Sequence, residues 1–566
     1  MTSKYEEYSK DELLRMLRER DRKPKFGLVW ERDEIEHDRS LNDDFVVLEP
    51  DAALSVGDAP HRNLVIEGDN FDALRYLRMT HSGKVKCIYI DPPYNTGNRD
   101  FIYNDRFVDK DDVYKHSKWL EFMYRRLVLA KDLLAEDGVI FVSINDIEFA
   151  PLKLLLDRTF GEKNCLANLI WQTDGNFDNQ ARFKVCHEYV LVYAANEDQV
   201  PPPPVIDPNA DESGKLFREE IRNTIVKNGP KNPISDITLP AGFPSDFNAG
   251  IITARTDKWP HFLSNAIIEN GRLTQPVIIR SGWANKKLCE KFIETQFKPV
   301  LDTKNQPTIF VLTKTGAIEN IKVRKEDQSH VVSVVKNVGS VQSSGAELIN
   351  QGLNFPYPKP VGLIQYLLSM IQGKDFLVLD FFAGSGTTAH AVMKLNTEDG
   401  GNRRFILVSS SEATNDEPNK NICRDVCAER LRRAVQGYEN KKGEQVEGLG
   451  GGFVYLRTKR IPVARVLNEI EHDQVWLALQ LIHGEALEGF DASALVQVAS
   501  GTEARLAYVP TLDAITLEEV ARLAALGGSL TVYSWQPEQL RQHIEASNAT
   551  FEKIPEFLVK RFGGGK

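Results

Sequence analysis

The order of apolar runs along these 566 residues predicts an α/β protein built on one largely parallel sheet with helices on both faces. Three observations predict it. Short, wholly apolar runs alternate with amphipathic stretches from about 63 to 195. The same alternation resumes from about 355 to 440. The stretch between them is weakly periodic and rich in Asn, Thr, Lys and Arg, as an inserted domain would be. A single interrupted sheet needs fewer cores than two independent ones.

Residues 1–60 are charged and thinly hydrophobic, an N-terminal extension with one short helix expected around Asp11–Arg20. LVIEGDN (64–70) then reads as a strand ending in an acidic turn, and FDALRYLRM (71–79) as the helix after it. VKCIYID (85–91) is a second strand, broken by Pro92 and Pro93. Trp119–Leu134 has helical spacing; VIFVSI (139–144), after Asp137-Gly138, is a strand; PLKLLLDRTF (151–160) is a helix; CHEYVLVYA (186–194) is a late strand. The alternation breaks at PPPPV (201–205), a stiff linker. Strand-helix order resumes at KPVGLIQYLLSMI (359–371), then FLVLDFFAGSGTTAHAVMKL (376–395) and RRFILVSSSE (403–412), and a helix containing CRDVCAERLRRAV (423–435) follows. After GLGGG (448–452), ARLAYV, LEEVARLAAL, LTVYS and PEQLRQHIEA alternate strand and helix once more, as a small separate α/β domain; the closing GGGK reads as a frayed end. The expected boundaries are 1–60 for the extension, 61–198 and 353–457 for the two parts of the sheet, 199–352 for the insert and 458–566 for the C-terminal domain.

Composition narrows the class. No run approaches the roughly 18 apolar residues of a membrane helix, and MTSKYEEYSKDELLRM lacks the apolar centre of a signal peptide. The six cysteines (87, 165, 186, 289, 423, 427) form no CxxC or zinc spacing, so no metal is expected and reduced, buried thiols in a cytoplasmic protein are. The net charge of −10 speaks against a nucleic-acid partner only until it is resolved along the chain. Residues 201–350 hold roughly 19 Lys+Arg against about 16 Asp+Glu, about +3, which leaves about −13 elsewhere and permits a basic face.

Two motifs carry chemistry. In VLDFFAGSGTT (378–388) a strand ends at Asp380 and small residues turn into a helix. Gly384 and Gly386 let a ligand lie against the main chain, and the helix-terminal N–H groups can receive an anionic group. The full GxGxxG spacing is only partly met, with Ala389 in the last position. Glu412, after the next strand, is placed to accept ribose hydroxyls.

IDPPYNTG (90–97) is more specific. Adenine N6 is a poor nucleophile because its lone pair is conjugated with the ring. A site that accepts hydrogen bonds from both N6 protons moves the nitrogen toward sp³. Asp91 supplies one acceptor and the Pro92 carbonyl another; Pro92 and Pro93 fix the turn in advance. Tyr94 offers a face on which an extruded base can stack. In EGD (67–69), Asp69 either bonds the adenine amine of a cofactor or caps the following helix.

With these motifs in hand, the chain resembles the β group of DNA amino-methyltransferases, in which the Asp-Pro-Pro-Tyr motif precedes the glycine-rich one and a target-recognition domain lies between. FGLVWE (26–31), GVIFVSINDIE (138–148), HEYVLVY (187–193) and NFPYPKPVGLI (354–364) add to the resemblance, and DPPYNTG with the length looks most like the Mod subunit of type III restriction-modification systems. The resemblance implies a circularly permuted, Rossmann-like methyltransferase sheet, S-adenosylmethionine as cofactor, and N6-adenine methylation of duplex DNA by base flipping. It implies Asp91, Pro92, Pro93 and Tyr94 as the catalytic set. For the cofactor it implies Asp380, Phe381, Phe382, Gly384, Ser385, Gly386, Thr387 and Thr388, with Asp69, Asn70, Lys359 and Glu412 from elsewhere. It further implies a homodimer, a Res helicase-nuclease partner and a nucleoid-associated place in the bacterial cytoplasm. One departure is SSSEAT (409–414), which lacks the acidic-hydrophobic pattern anticipated around Glu412.

Other readings keep the same site. N4-cytosine enzymes usually carry Ser where this chain has Asp91, and the insert contains no evident RNA module. A stand-alone or other defence-system methyltransferase, or a docking subunit that places a nuclease on DNA, would look alike at this level. Arg218, Arg222, Arg255 and Arg280 are the candidate base contacts, although most exposed arginines are solvated or bind phosphate.

Overall fold

Apolar runs with no polar face need cover on both sides, and they become the centre of a ten-stranded sheet. The computed structural model describes residues 9–15, 28–32, 41–97, 101–103, 106–173, 182–205, 220–303, 305–323, 331–413, 419–484, 486–500 and 504–563. In chain order the first part of the sheet is β1 (Phe45–Val56), β2 (Leu64–Glu67), helix α1 (Asn70–His81), β3 (Val85–Ile90), α2 (Lys115–Leu133), β4 (Leu134–Ile144), α3 (Phe149–Phe160), β5 (Cys165–Gln172) and β6 (His187–Ala194). The second part is β7 (Val334–Val335), α4 (Val341–Asn350), α5 (Val361–Ser369), β8 (Leu377–Asp380), α6 (Thr387–Asp399), β9 (Arg404–Ser409), α7 (Glu429–Gln436) and β10 (Phe453–Ile461).

Across the sheet the order is β1-β10-β2-β9-β8-β3-β4-β6-β5-β7. From β10 to β4 every neighbour pair is parallel, and β6 inserts antiparallel between β4 and β5. The late strands β8 and β9 fill the gap between the early strands β2 and β3, which is the circular permutation anticipated from motif order. The strand order reverses at β8 and β3, and the crevice outside their carboxyl ends is where α/β sheets bind ligands. Two apolar layers flank the sheet. One contains Leu74, Trp119, Leu127 and Leu155; the other contains Leu363, Leu367, Val392 and Leu431.

Five sequence expectations are corrected, the last of them the bounds of the insert. Of the N-terminal extension, residues 10–15 are helical, 16–20 lie outside the described residues, and 45–56 form the edge strand β1, paired antiparallel with β10. A boundary between 457 and 458 would cut β10 in half. Beyond it lie α8 (His472–His483), β11 (Gln497–Ser500), β12 (Ala504–Val509), α9 (Ala514–Ala525), β13 (Ser529–Ser534), α10 (Pro537–His543), β14 (Ala549–Lys553) and α11 (Glu556–Phe562). This C-terminal region has its own sheet, β11-β12-β13-β14, but does not stand apart: Trp476, Tyr508, Tyr533 and Phe562 share a core with Phe45 and Leu74. Helices α8 and α11 cover an apolar face of α1 that would otherwise meet water. Cys165 and Cys186 are only half-buried, whereas Cys87, Cys289, Cys423 and Cys427 are buried thiols.

The chain divides into two compact units, 1–205 with 331–566, and 206–330. The second is narrower than the expected insert 199–352, because β7 and α4 join the main sheet unit. Within it, short antiparallel strands such as Ile234–Leu239, Val277–Gly282 and Pro307–Leu312, with the helix Lys286–Glu294, enclose Phe243, Phe292 and Phe310.

Candidate active site

Register brings the two motifs together. Val378 and Leu379 of β8 pair in parallel with Cys87 and Ile88 of β3, so Asp380 and Asp91 leave adjacent strand ends. Asp91 faces one cation. The Lys359 Nζ lies 3.0 Å from its Oδ2 and 3.2 Å from Glu188 Oε2. Glu188 Oε2 also accepts the Tyr94 hydroxyl at 2.7 Å, and the same ammonium sits 4.8 Å from the Tyr94 ring centre. Asp91 Oδ1 is shielded and has no hydrogen-bond partner, although 26% of the side chain is exposed. Such an orphan acceptor is costly unless something fills it.

Burial pushes the Asp91 carboxyl above its ordinary range; Lys359 opposes that push and Glu188 reinforces it. Burial acts to lower the Lys359 ammonium, but the combined attraction of Asp91 and Glu188 outweighs it and the pKa rises. The Tyr94 phenol is held far above its ordinary value by burial and by the two carboxylates, so it stays protonated.

The turn is fixed from behind. The Trp119 indole N–H donates to the Pro93 carbonyl at 2.7 Å. Asn95 is buried with φ of 57°, and its amide donates to Glu148 Oε1 at 2.5 Å. His116 Nδ1 meets that oxygen too, at 2.5 Å. Burial raises the pKa of Glu148 against the pull of Asn95 and His116.

At the glycine-rich turn, Gly384 and Gly386 both take positive φ, 50° and 77°, which a side chain would resist. A Cβ on Gly384 would lie 3.2 Å from the Phe355 ring, and one on Gly386 would lie 3.0 Å from Cys427 Sγ. Asp380 accepts the Phe382 N–H at 3.0 Å and the Thr388 hydroxyl. Burial pushes it from 3.8 up to about 7. Arg430, fully buried, donates to Thr387 Oγ1 at 2.7 Å and to Ser385 Oγ at 3.1 Å, bracing the turn from α7.

Asp69, Asn70 and Glu412 follow neighbouring strand ends. Asp69 caps α1 by accepting the Phe71 N–H at 2.8 Å and also faces Arg126 at 3.3 Å. Asn70 donates to the Phe381 carbonyl at 3.0 Å, tying the two parts of the sheet together, and accepts from Arg126. Glu412, past the end of β9, has φ of 52° and pairs with Lys420 at 3.2 Å. Phe382 stays half-buried, 5.9 Å from Phe122. Lys359, anticipated at the cofactor, has its ammonium on Asp91 Oδ2.

Glu188, Trp119, Glu148 and Arg430 went unassigned in the sequence reading. A signal existed for two of them. Glu188 is an acid opening the apolar strand HEYVLVY, and Arg430 is a cation on the apolar stripe that includes Cys427, Leu431 and Ala434.

A family model described as DNA methylase matches residues 85–424, which contain both motifs and the whole insert. The chain belongs to the DNA methylase family. It is 32% identical over 379 residues to the type III restriction-modification enzyme StyLTI Mod subunit of Salmonella typhimurium, covering 62% of this chain and 53% of that protein. It is 35% identical over 401 residues to the EcoPI Mod subunit of Escherichia phage P1, covering 63% and 59%. To the type II methyltransferase M.KpnI of Klebsiella pneumoniae it is 31% identical over 350 residues, covering 61% and 79%. The matches thus span a little over half the length of the first two relatives, which are the Mod subunits that the motifs resemble.

Proposed function

We propose that this chain methylates N6 of adenine in duplex DNA with S-adenosylmethionine, as the modification and specificity subunit of a type III restriction-modification system. One observation carries the reading: the Asp91–Tyr94 turn and the glycine-rich turn leave adjacent parallel strands at the point where the sheet order reverses.

The residues present fit the cofactor. At Gly384 and Gly386 the turn at 381–386 holds positive φ with Phe355 and Cys427 packed behind it, which leaves main chain without side chains for a ligand. Asp380 at its base is a buried acid, raised to about 7, that a cationic group would draw toward its ionised form. Asp380, Phe381, Phe382, Ser385, Thr387 and Thr388 would hold it, with Asp69, Asn70 and Glu412 on flanking strand ends. When bound, S-adenosylmethionine supplies an electrophilic methyl group on a sulfonium sulfur.

The protein prepares the amine. Asp91 Oδ1 accepts one N6 proton and the Pro92 carbonyl the other, so the lone pair is freed from the ring. Pro92 and Pro93 restrict the turn, and the Trp119 bond to Pro93 holds it, so no reorganisation is needed when the base arrives. Tyr94 supplies the stacking face for a base flipped out of the duplex, the state in which its edge is reachable. The surplus proton on N6 has Asp91 as its nearest base.

Unit 206–330 is the candidate target-recognition domain. Arg218 lies outside the described residues. Arg222 pairs with Glu220 at 3.0 Å, Arg280 pairs with Asp236 at 2.7 Å, and Arg255 donates to the Thr315 carbonyl at 2.8 Å, so base reading by these three requires an exchange of partners. The likeness to proteins named as Mod subunits supports a further subunit as partner; a second copy of the chain, a Res helicase-nuclease and a place at the nucleoid of the bacterial cytoplasm complete the proposal. Sequencing modified bases in DNA from cells expressing only this chain tests the reading. N6-methyladenine at one position of a recurrent motif is the expected result; unmodified DNA, or methylcytosine, would overturn it.

A further inference from the structure

One ammonium shared by two carboxylates, with the catalytic oxygen left free, is an arrangement that does more than neutralise charge. Lys359 comes from the segment just before α5 and is only 7% exposed. Its partners come from two other places: Asp91 after β3, and Glu188 on β6, the strand that runs against the parallel direction. Lys359 occupies Asp91 Oδ2 and leaves Oδ1 with no partner. Glu188 Oε2 takes both the ammonium and the Tyr94 hydroxyl, so one carboxylate oxygen sets the lateral position of the cation and the tilt of the ring.

We propose that Glu188 and Lys359 are a positioning pair, Lys359 holding Asp91 ionised with Oδ1 presented to the adenine amine, and Glu188 anchoring both Lys359 and the Tyr94 ring. This assigns Lys359 to the base side of the crevice and gives Glu188 a role. It rests on the reading of the site as an adenine methyltransferase centre.

The charge count makes the pair testable by sign. The groups facing Asp91 are Lys359, Glu188, the phenols of Tyr94 and Tyr89, and Asp380 across the strand ends. Two carboxylates compete for one ammonium. Removing the charge of Glu188 while keeping its oxygen, as in Glu188→Gln, leaves Lys359 wholly to Asp91. The acid limb of kcat then moves down by about one pH unit, while an amide oxygen still receives the Tyr94 hydroxyl. Removing the ammonium, as in Lys359→Met, leaves two buried carboxylates together. The acid limb moves up by about one to three pH units, and kcat at neutral pH falls by about a hundredfold. Lys359→Arg restores most of the rate.

The experiment is a pH–rate profile of N6 methylation on a DNA duplex carrying the chain's own motif, with cofactor affinity measured alongside. Opposite shifts in Glu188→Gln and Lys359→Met, with cofactor affinity unchanged, are expected. Unmoved limbs in both variants, or shifts of the same sign, would overturn the pairing. Should Lys359→Met fail to fold, Glu188→Gln alone decides: an unmoved or raised acid limb rejects the proposal. An unmodified duplex with the unsubstituted protein would instead reject the methyltransferase reading itself.

Discussion

Replacing Gly386 with alanine puts the geometry of the cofactor turn to a quantitative test. Gly386 stands at the start of α6 with φ of 77°, and its N–H closes the turn on the Ala383 carbonyl at 2.8 Å. A side chain in this left-handed region costs about 1–2 kcal/mol. The new Cβ would also lie 3.0 Å from Cys427 Sγ and 3.6 Å from Leu431 Cγ, inside a close-packed layer, where overpacking costs about 1–3 kcal/mol. Lower entropy of the unfolded chain returns about 0.4–1 kcal/mol. The net expectation is a loss of roughly 1–4.5 kcal/mol. Denaturant titration reads the stability, and calorimetric titration with S-adenosylmethionine reads the binding, which weakens by tenfold or more if about 1.4 kcal/mol of the strain falls on the bound turn. A double-mutant cycle separates the two terms. Cys427→Ala relieves the steric part but not the backbone part, so a coupling of about 1 kcal/mol is expected. Full stability in Gly386→Ala, or a coupling near zero, would refute the reasoning.

Asp91→Ala should abolish methylation while cofactor binding, read by calorimetry, survives, because an N6 acceptor is lost rather than the pocket. Trp119→Phe removes the indole donor, strands the Pro93 carbonyl at a cost of about 1–3 kcal/mol, and should lower kcat with little change in cofactor affinity. Asp380 gives a pH signature. Its carboxyl titrates near 7 when folded against 3.8 ordinarily, so between those values the unfolded chain has released a proton that the folded one keeps. Its contribution therefore makes stability fall as pH rises from about 4 to about 7 and level off above; Asp380→Asn should flatten that slope in denaturation midpoints. Exchanging residues 206–330 for the matching block of a relative should change the methylated motif without ending methylation; an unchanged motif in modified-base sequencing would place specificity elsewhere.

The sequence by itself determined what depends on near neighbours in the chain. Short, wholly apolar runs and helical spacing predicted the central strands and their helices, and the prolines and glycines of IDPPYNTG and VLDFFAGSGTT marked the two turns. The order of those turns carried the family resemblance, and that resemblance implied the permuted sheet. Tertiary structure alone decided what depends on partners far away in sequence. Residues 45–56 read as a charged extension because their polar face is real; only pairing with β10 makes them a strand. The C-terminal alternation looked self-sufficient, yet its outer apolar faces are satisfied only against α1. Lys359 carries no local mark of its role, and Glu188 only that of an acid opening an apolar strand, since a charge in a sequence has no burial until the chain closes around it. Folding removes water from Asp91, and only then does the position of one ammonium determine which carboxylate oxygen is left to react.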